Sequence, residues 1–260
     1  FHPFDQIIAN SGGAIASSYF LAGQRHSFIE AMRYLAQDPH FVQYSRFFQA
    51  QGLMDVDYFN VIARNIIPFQ IEVALKQKAH TDIRFVATSC EDGSANYLEP
   101  RRDNWMDTVI ASCSLPFLTK GHHEVDGQCY FDGGWSDALP VQWAYQQGVR
   151  DILVIRTLPP QLKMNQSWTD WLGSKMHSNK NLRHNFQQNH ALYNSTVDFL
   201  NAPPTDLHLE QIAPEHPLKC GTYTKNLHHI DADYNYGYSL AQAYLQSQQF
   251  SPSQDAGIRV

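Results

Sequence analysis

The stretch from Ile7 to Ala16 leaves the backbone few choices. Phe4 to Ala9 is a short apolar run with strand character, Asn10-Ser11-Gly12-Gly13 follows without a spacer, and Ala14 to Ala22 is helical in pattern. A strand that becomes a helix at once needs a sharp turn, here with a serine at its apex. Such a turn brings the positions two before and two after the serine together, and Ala9 and Gly13 are small enough to allow it. The string approximates the G-x-S-x-G nucleophile elbow, with Ala9 replacing the first glycine. The turn exposes the Ser11 hydroxyl at the carboxyl end of a strand, where open α/β sheets bind ligands. It also aims the next helix's N-terminus at that hydroxyl, which favours developing negative charge. Taken alone, Asn10 or Ser11 is equally an ordinary helix cap.

Strands and helices continue to alternate. Helical patterns lie at His26–Ala36, Val56–Ile66, Ile71–Ala79, Trp105–Ser112 and Pro140–Gln147, with Pro39 and Pro68 as punctuation. Ile83–Cys90 reads as a strand that returns through Glu91-Asp92-Gly93-Ser94 into Ala95–Leu98, a hairpin. Gln128–Phe131 is a brief strand. Asp151–Thr157 is uniformly apolar after a helix, the mark of a parallel strand covered on both faces. Beyond Pro160 the chain is polar, with amphipathic helices at Trp168–Met176 and Asn185–Leu200, a strand at Asp206–Ile212 and a last helix at Tyr236–Gln248. This alternation predicts an α/β sandwich on a mostly parallel sheet, one domain over residues 1–250 with a frayed tail at 251–260.

Composition narrows the classes. The 260 residues are 43% hydrophobic and 17% charged, which suits a folded globule rather than a disordered chain. The net charge of −6 leaves no basic excess for a phosphate backbone, so nucleic-acid binding is not expected. Cys90, Cys113, Cys129 and Cys220 are scattered without a C-x-x-C pair, which excludes a disulfide scaffold and a zinc ribbon and suggests reduced thiols. With no membrane-length apolar run and no signal peptide, a cytoplasmic location is expected.

Two further segments bear on chemistry. In Tyr130-Phe131-Asp132-Gly133-Gly134, an aspartate ends a short strand and two glycines let it approach another segment, although Asp-Gly also makes hairpin turns. Ala111-Ser112-Cys113-Ser114-Leu115-Pro116 reads as a helix end broken by proline, merely structural. Together, small-x-Ser-x-Gly, Ala-Ser-x-x-x-Pro and Asp-Gly-Gly with Pro140 beyond resemble the patatin-like phospholipase family, its compact bacterial branch most of all. The resemblance is closest from Phe4 to about Thr157 and looser to the last helix.

That resemblance implies a three-layer α/β/α sandwich and a carboxylic ester hydrolase acting in lipid degradation through a serine–aspartate dyad, with Ser11 as nucleophile and Asp132 as its partner. It implies a lipid or other ester substrate, transient membrane-surface contact and no cofactor. Gly12 and Gly13 would shape the elbow and its oxyanion hole, and Gly133 and Gly134 would support the dyad. The family's glycine-rich oxyanion loop lies upstream of the serine, where only ten residues precede Ser11, so Gly12 N–H is the one donor that can be named. Two alternatives stay open. One is a Ser…Asp…His triad completed by His208, His216, His228 or His229; the other is a non-catalytic lipid- or acyl-binding protein on the same fold. No metal is expected: in His122-His123-Glu124 and His228-His229 the adjacent histidines point in different directions, and His177 and His184, seven apart, read as an exposed polar helix. Trp168, Trp171, Leu172 and Met176 form a stripe for core packing or a lid. Phe117, Leu118, Trp135 and Leu139 line an acyl pocket or fill the core.

Overall fold

The computed structural model describes residues 4–43, 52–116, 118–166, 180–222 and 224–250. The expected elbow opens it: strand β1 (Gln6–Asn10) leads directly into helix α1 (Gly12–Leu21). Helix α2 (Arg25–Gln37), α3 (Tyr58–Val61, continued by a π-helical turn at Ile62–Ile66) and α4 (Ile71–Lys78) follow. Then come β2 (Asp82–Ser89), β3 (Ala95–Leu98), α5 (Trp105–Ser112), β4 (His123–Val125) and β5 (Gln128–Asp132). Helix α6 (Val141–Gln146), β6 (Asp151–Ile155), α7 (Lys180–Asn201), β7 (His208–Ile212) and α8 (Leu227–Phe250) complete the order.

Strand β2 is the spine. Its Ile83, Phe85 and Ala87 on one face, and Val86 and Thr88 on the other, are all fully buried, the pattern of a strand covered on both sides. Ile83 and Phe85 join the main core with Tyr19 of α1 and Trp105 and Val109 of α5. The Trp105 indole N–H donates to Ser18 Oγ at 3.0 Å, which ties α5 to α1. On the opposite face, Phe131 of β5 packs with Leu182 and Phe186 of α7. Helices therefore lie on both sides of the sheet, as the alternation predicts.

Sheet register fixes the site. β1 runs parallel to β2 from Gln6 opposite Asp82 to Asn10 opposite Val86. β5 runs antiparallel, from Tyr130 opposite Ser89 to Asp132 opposite Ala87. Strand β3 occupies the other edge of β2 over Phe85–Thr88. β1 and β5 therefore share one edge of β2, and their carboxyl ends meet head to head at Val86 and Ala87. That junction brings the residue after Asn10 to Asp132.

Among the described residues the main sheet is mixed: β1 runs parallel to β2, whereas β3, β4 and β5 join by antiparallel pairing, and β6 with β7 forms a separate parallel pair. β4 went unread in the sequence, although Asp126-Gly127 between it and β5 is a hairpin signal and both residues have positive φ, 52° and 77°. Two expectations are corrected. Among the described residues Asp151–Ile155 pairs only with β7, and its Ile155 is 70% exposed rather than sandwiched. Cys90 and Cys129, opposite each other where β2 and β5 leave their register, form a disulfide; Cys113 and Cys220 stay free. Among the described residues no helix is long and apolar enough to cross a membrane.

Candidate active site

Ser11 sits at the apex with φ 52° and ψ −124°, a conformation that L-residues rarely adopt and that costs on the order of 1–3 kcal/mol. Hydrogen bonds on both sides hold it. Its N–H donates to Ser112 Oγ at 2.9 Å, and its carbonyl accepts from Ala14 N at 2.8 Å. The small residues of the elbow do meet: a Cβ on Gly13 would lie 3.8 Å from Ala9 Cβ. Gly12 faces open space, with nothing within 4 Å of its Cβ position, and α1 begins there with no acidic residue in its first turn. The start of α1 thus presents bare N–H groups beside an accessible hydroxyl.

Asp132 is 3% exposed. Its Oδ1 accepts from Gly134 N at 2.8 Å, its N–H donates to Ser114 O at 2.9 Å, and its carbonyl accepts from Thr88 Oγ1 at 2.8 Å. Burial raises its pKa from 3.8 to about 6, while the Ser11 hydroxyl and the Gly134 amide each pull it back. Ser11 is therefore within reach of the carboxylate, but loosely, since Oδ2 is buried without a partner in hydrogen-bond geometry. The acidic neighbours in sequence do not cause this shift: Asp126 pairs with Arg101 at 2.9 Å, and Asp137 accepts from Tyr97 Oη at 2.6 Å.

Gly133 and Gly134 make the approach possible. A Cβ on Gly133 would stand 2.4 Å from Val86 O and 2.7 Å from Asn10 Oδ1, and one on Gly134 would stand 3.0 Å from Asp132 Oδ1. Only glycine fits where the ends of β1 and β5 converge on β2.

The Ala-Ser-x-x-x-Pro segment does more than end a helix. Ser112 accepts from the elbow and Ser114 accepts from Asp132, so one helix end holds both groups in place. Cys113 lies between them. Burial and the Asp132 charge push its thiol well above the usual range, and the Ser11 hydroxyl touches it. Neither role was readable, because sequence shows a helix terminus but not what its side chains meet.

Other candidates fall elsewhere. His208 pairs with Asp151 at 2.9 Å on the exposed β6/β7 edge, and His216, His228 and His229 are exposed. The polar contacts of Asp132 thus go to Gly134 and Ser11 rather than to a late histidine. His123 lies between Asp107 at 3.0 Å and Asp57 at 3.1 Å, and among the described residues no three His, Cys, Asp or Glu side chains are grouped to hold a metal ion. Trp135 packs edge-on against Phe186, and Leu139 packs with Val141, Val154 and Leu200, so both fill the core. Phe117, the stripe from Trp168 to Met176, His177 and the tail at 251–260 lie outside the described residues.

A relative from Escherichia coli (strain K12), uncharacterized protein YjjU, is 29% identical over 252 residues, covering 94% of this chain and 70% of the relative. Residues 179–250, which hold α7, β7 and α8, match a domain of unknown function, DUF6363. Residues 1–145, which carry the elbow, the Ser112 helix end and the Asp132 loop, match the patatin-like phospholipase profile over more than half of the chain, and the chain belongs to that family.

Proposed function

We propose that this protein is a lipid acyl hydrolase that works through an acyl-enzyme on Ser11, with Asp132 as the proton acceptor. One observation carries the reading: a strained, half-buried serine stands beside a buried carboxylate that has one oxygen unpartnered. Ser11 Oγ attacks the ester carbonyl carbon as its proton passes to Asp132 Oδ2. The carbonyl electrons move onto oxygen, where Gly12 N–H and the start of α1 stabilise the charge. Collapse of this intermediate expels the alcohol, which takes the proton from Asp132. Water then attacks the acyl-serine, giving its proton to Asp132, and the acid leaves as Ser11 is reprotonated.

An ordinary aspartate is a weak base near neutral pH, and a pKa of about 6 brings it closer to the working range. The substrate is a lipid ester met at a membrane surface. A cytoplasmic location belongs to the same reading; a glutathione-poised compartment would hold Cys90 and Cys129 as thiols, so a bridge that survives in protein isolated under thiol-blocking conditions would place the chain in an oxidising compartment instead.

The test is intact-mass measurement after exposure to a fluorophosphonate, paired with hydrolysis of an activated ester. One adduct that is lost in Ser11→Ala, with turnover lost in Asp132→Asn, is the expected result. An unlabelled folded wild type would favour an acyl-binding protein, and near-normal turnover in Asp132→Asn would remove Asp132 from the mechanism.

A further inference from the structure

Behind the Asp132 loop lies a second cleft of about 200 Å³, which the hydrolase reading does not use. One wall is the loop itself, at Ser136, Asp137 and Ala138. The floor is Tyr97 of β3 and Trp143 of α6, whose rings stack at 3.9 Å and 17°. The far wall is α7, through Tyr193, Ser195 and Thr196. The cleft is therefore built jointly by the segment that matches the phospholipase profile and the segment that matches the domain of unknown function.

Its chemistry is specific in kind. Among the described residues that line it there is no lysine or arginine to neutralise an anion. The one ionisable carboxyl, Asp137, already accepts from Tyr97 Oη at 2.6 Å and is pushed up by burial, so it attracts a cation poorly. What remains is neutral hydrogen-bonding capacity beside an aromatic surface. Among the described residues the side-chain amides of Gln142 and Gln146 have no protein partner. Tyr193 Oη accepts from the buried Arg156 at 3.0 Å, which leaves its own proton to donate. Amides and hydroxyls that donate and accept, set against an indole, suit a ligand that is itself hydroxyl-rich and uncharged.

We infer that this cleft is a binding site for a small neutral polyol, of glycerol to monosaccharide size, formed where α7 packs over the back of the Asp132 loop. Two hydrogen-bond paths connect it to the candidate active site. Ser136 Oγ shares a 2.8 Å bond with Thr88 Oγ1, which donates to the Asp132 carbonyl at 2.8 Å. Ala138 O accepts from Asn10 Nδ2 at 3.5 Å, one residue before Ser11. A ligand in the cleft thus rests on the same loop that positions Asp132. The polyol is either free in solution or the headgroup of a lipid.

The test reads binding rather than hydrolysis, so it stands or falls independently of the Ser11 chemistry. Thermal unfolding of the full chain is followed with millimolar glycerol, myo-inositol and glucose, far below the molar concentrations at which polyols stabilise proteins by exclusion. Phosphatidylcholine vesicles with and without a neutral glycosyl diacylglycerol are compared by co-sedimentation. Ser195→Trp fills the cleft from an exposed helix position, and Gln142→Ala/Gln146→Ala removes its amides. A midpoint raised by about 3 °C or more by at least one free polyol, and lost in both variants, supports a free ligand. Preferential sedimentation with the glycosyl diacylglycerol vesicles, lost in both variants, supports a headgroup. Neither response in the wild type, or a response that both variants retain, overturns the inference.

Discussion

Asp132 is asked to be buried and charged at once, and the two demands set opposite pH dependences. Its folded pKa, about 6, lies above the unfolded 3.8. Between those values the native state holds a proton that the unfolded chain has lost, so this group's contribution to stability falls as pH rises through that window and is constant above it. Activity runs the other way, rising as the carboxyl ionises through about pH 6. Asp132→Asn should therefore abolish turnover while raising stability at pH 8 by up to about 3 kcal/mol, measured by denaturant unfolding. An inactive variant that is also less stable at pH 8 would contradict the burial argument. Ser112 is expected to act on geometry instead. Ser112→Ala removes the acceptor for the strained Ser11 N–H and should lower kcat about tenfold with little change in KM, at a stability cost of about 1–3 kcal/mol.

Among the elements, the convergence of β1 and β5 on one edge of β2 tolerates the least change. Gly133→Ala drives a methyl into the Val86 carbonyl at 2.4 Å, backbone that cannot move without breaking the sheet, whereas Gly12→Ala meets nothing. The first should leave insoluble or inactive protein and the second a folded one, a contrast that soluble yield and circular dichroism would show. Near the same junction, the Cys90–Cys129 disulfide ties the end of β2 to the start of β5 across 39 residues of chain. Thiol titration of the unfolded protein should find two reactive thiols before reduction and four after. Replacing both cysteines by alanine should cost about 2–4 kcal/mol. Some of this was readable beforehand and some was not. The elbow, β2 and the β2–β3 hairpin follow from local pattern and turn chemistry. β4 was missed because three residues carry too little periodicity, and the disulfide because a strand register decides it.

For the whole molecule, the open question is whether residues 180–250 are a separate unit. We take the chain as one cooperative domain. Leu182 and Phe186 of α7 pack on Phe131, the residue before Asp132, and Arg33 of α2 pairs with Asp231 of α8 at 2.7 Å. Unfolding should then be a single transition that coincides by fluorescence and circular dichroism. Phe186→Ala should lower that one midpoint, at a cost of about 3–5 kcal/mol, and reduce turnover by loosening the support under the Asp132 loop. Two resolved transitions would make the C-terminal helices an independent domain.

Local sequence determined the elbow, because only small residues around a serine allow a strand to turn at once into a helix. It also determined the helix–strand alternation, through periodicities of 3.6 and 2. It identified Ser11 and Asp132 as chemical candidates, since each stands at the end of a strand beside glycine. Only the tertiary structure decided that these two ends abut on one strand, that Ser112 and Ser114 brace them, and that burial raises the pKa of Asp132. Those properties depend on register and desolvation, which arise between distant segments and leave no trace in the spacing of either one.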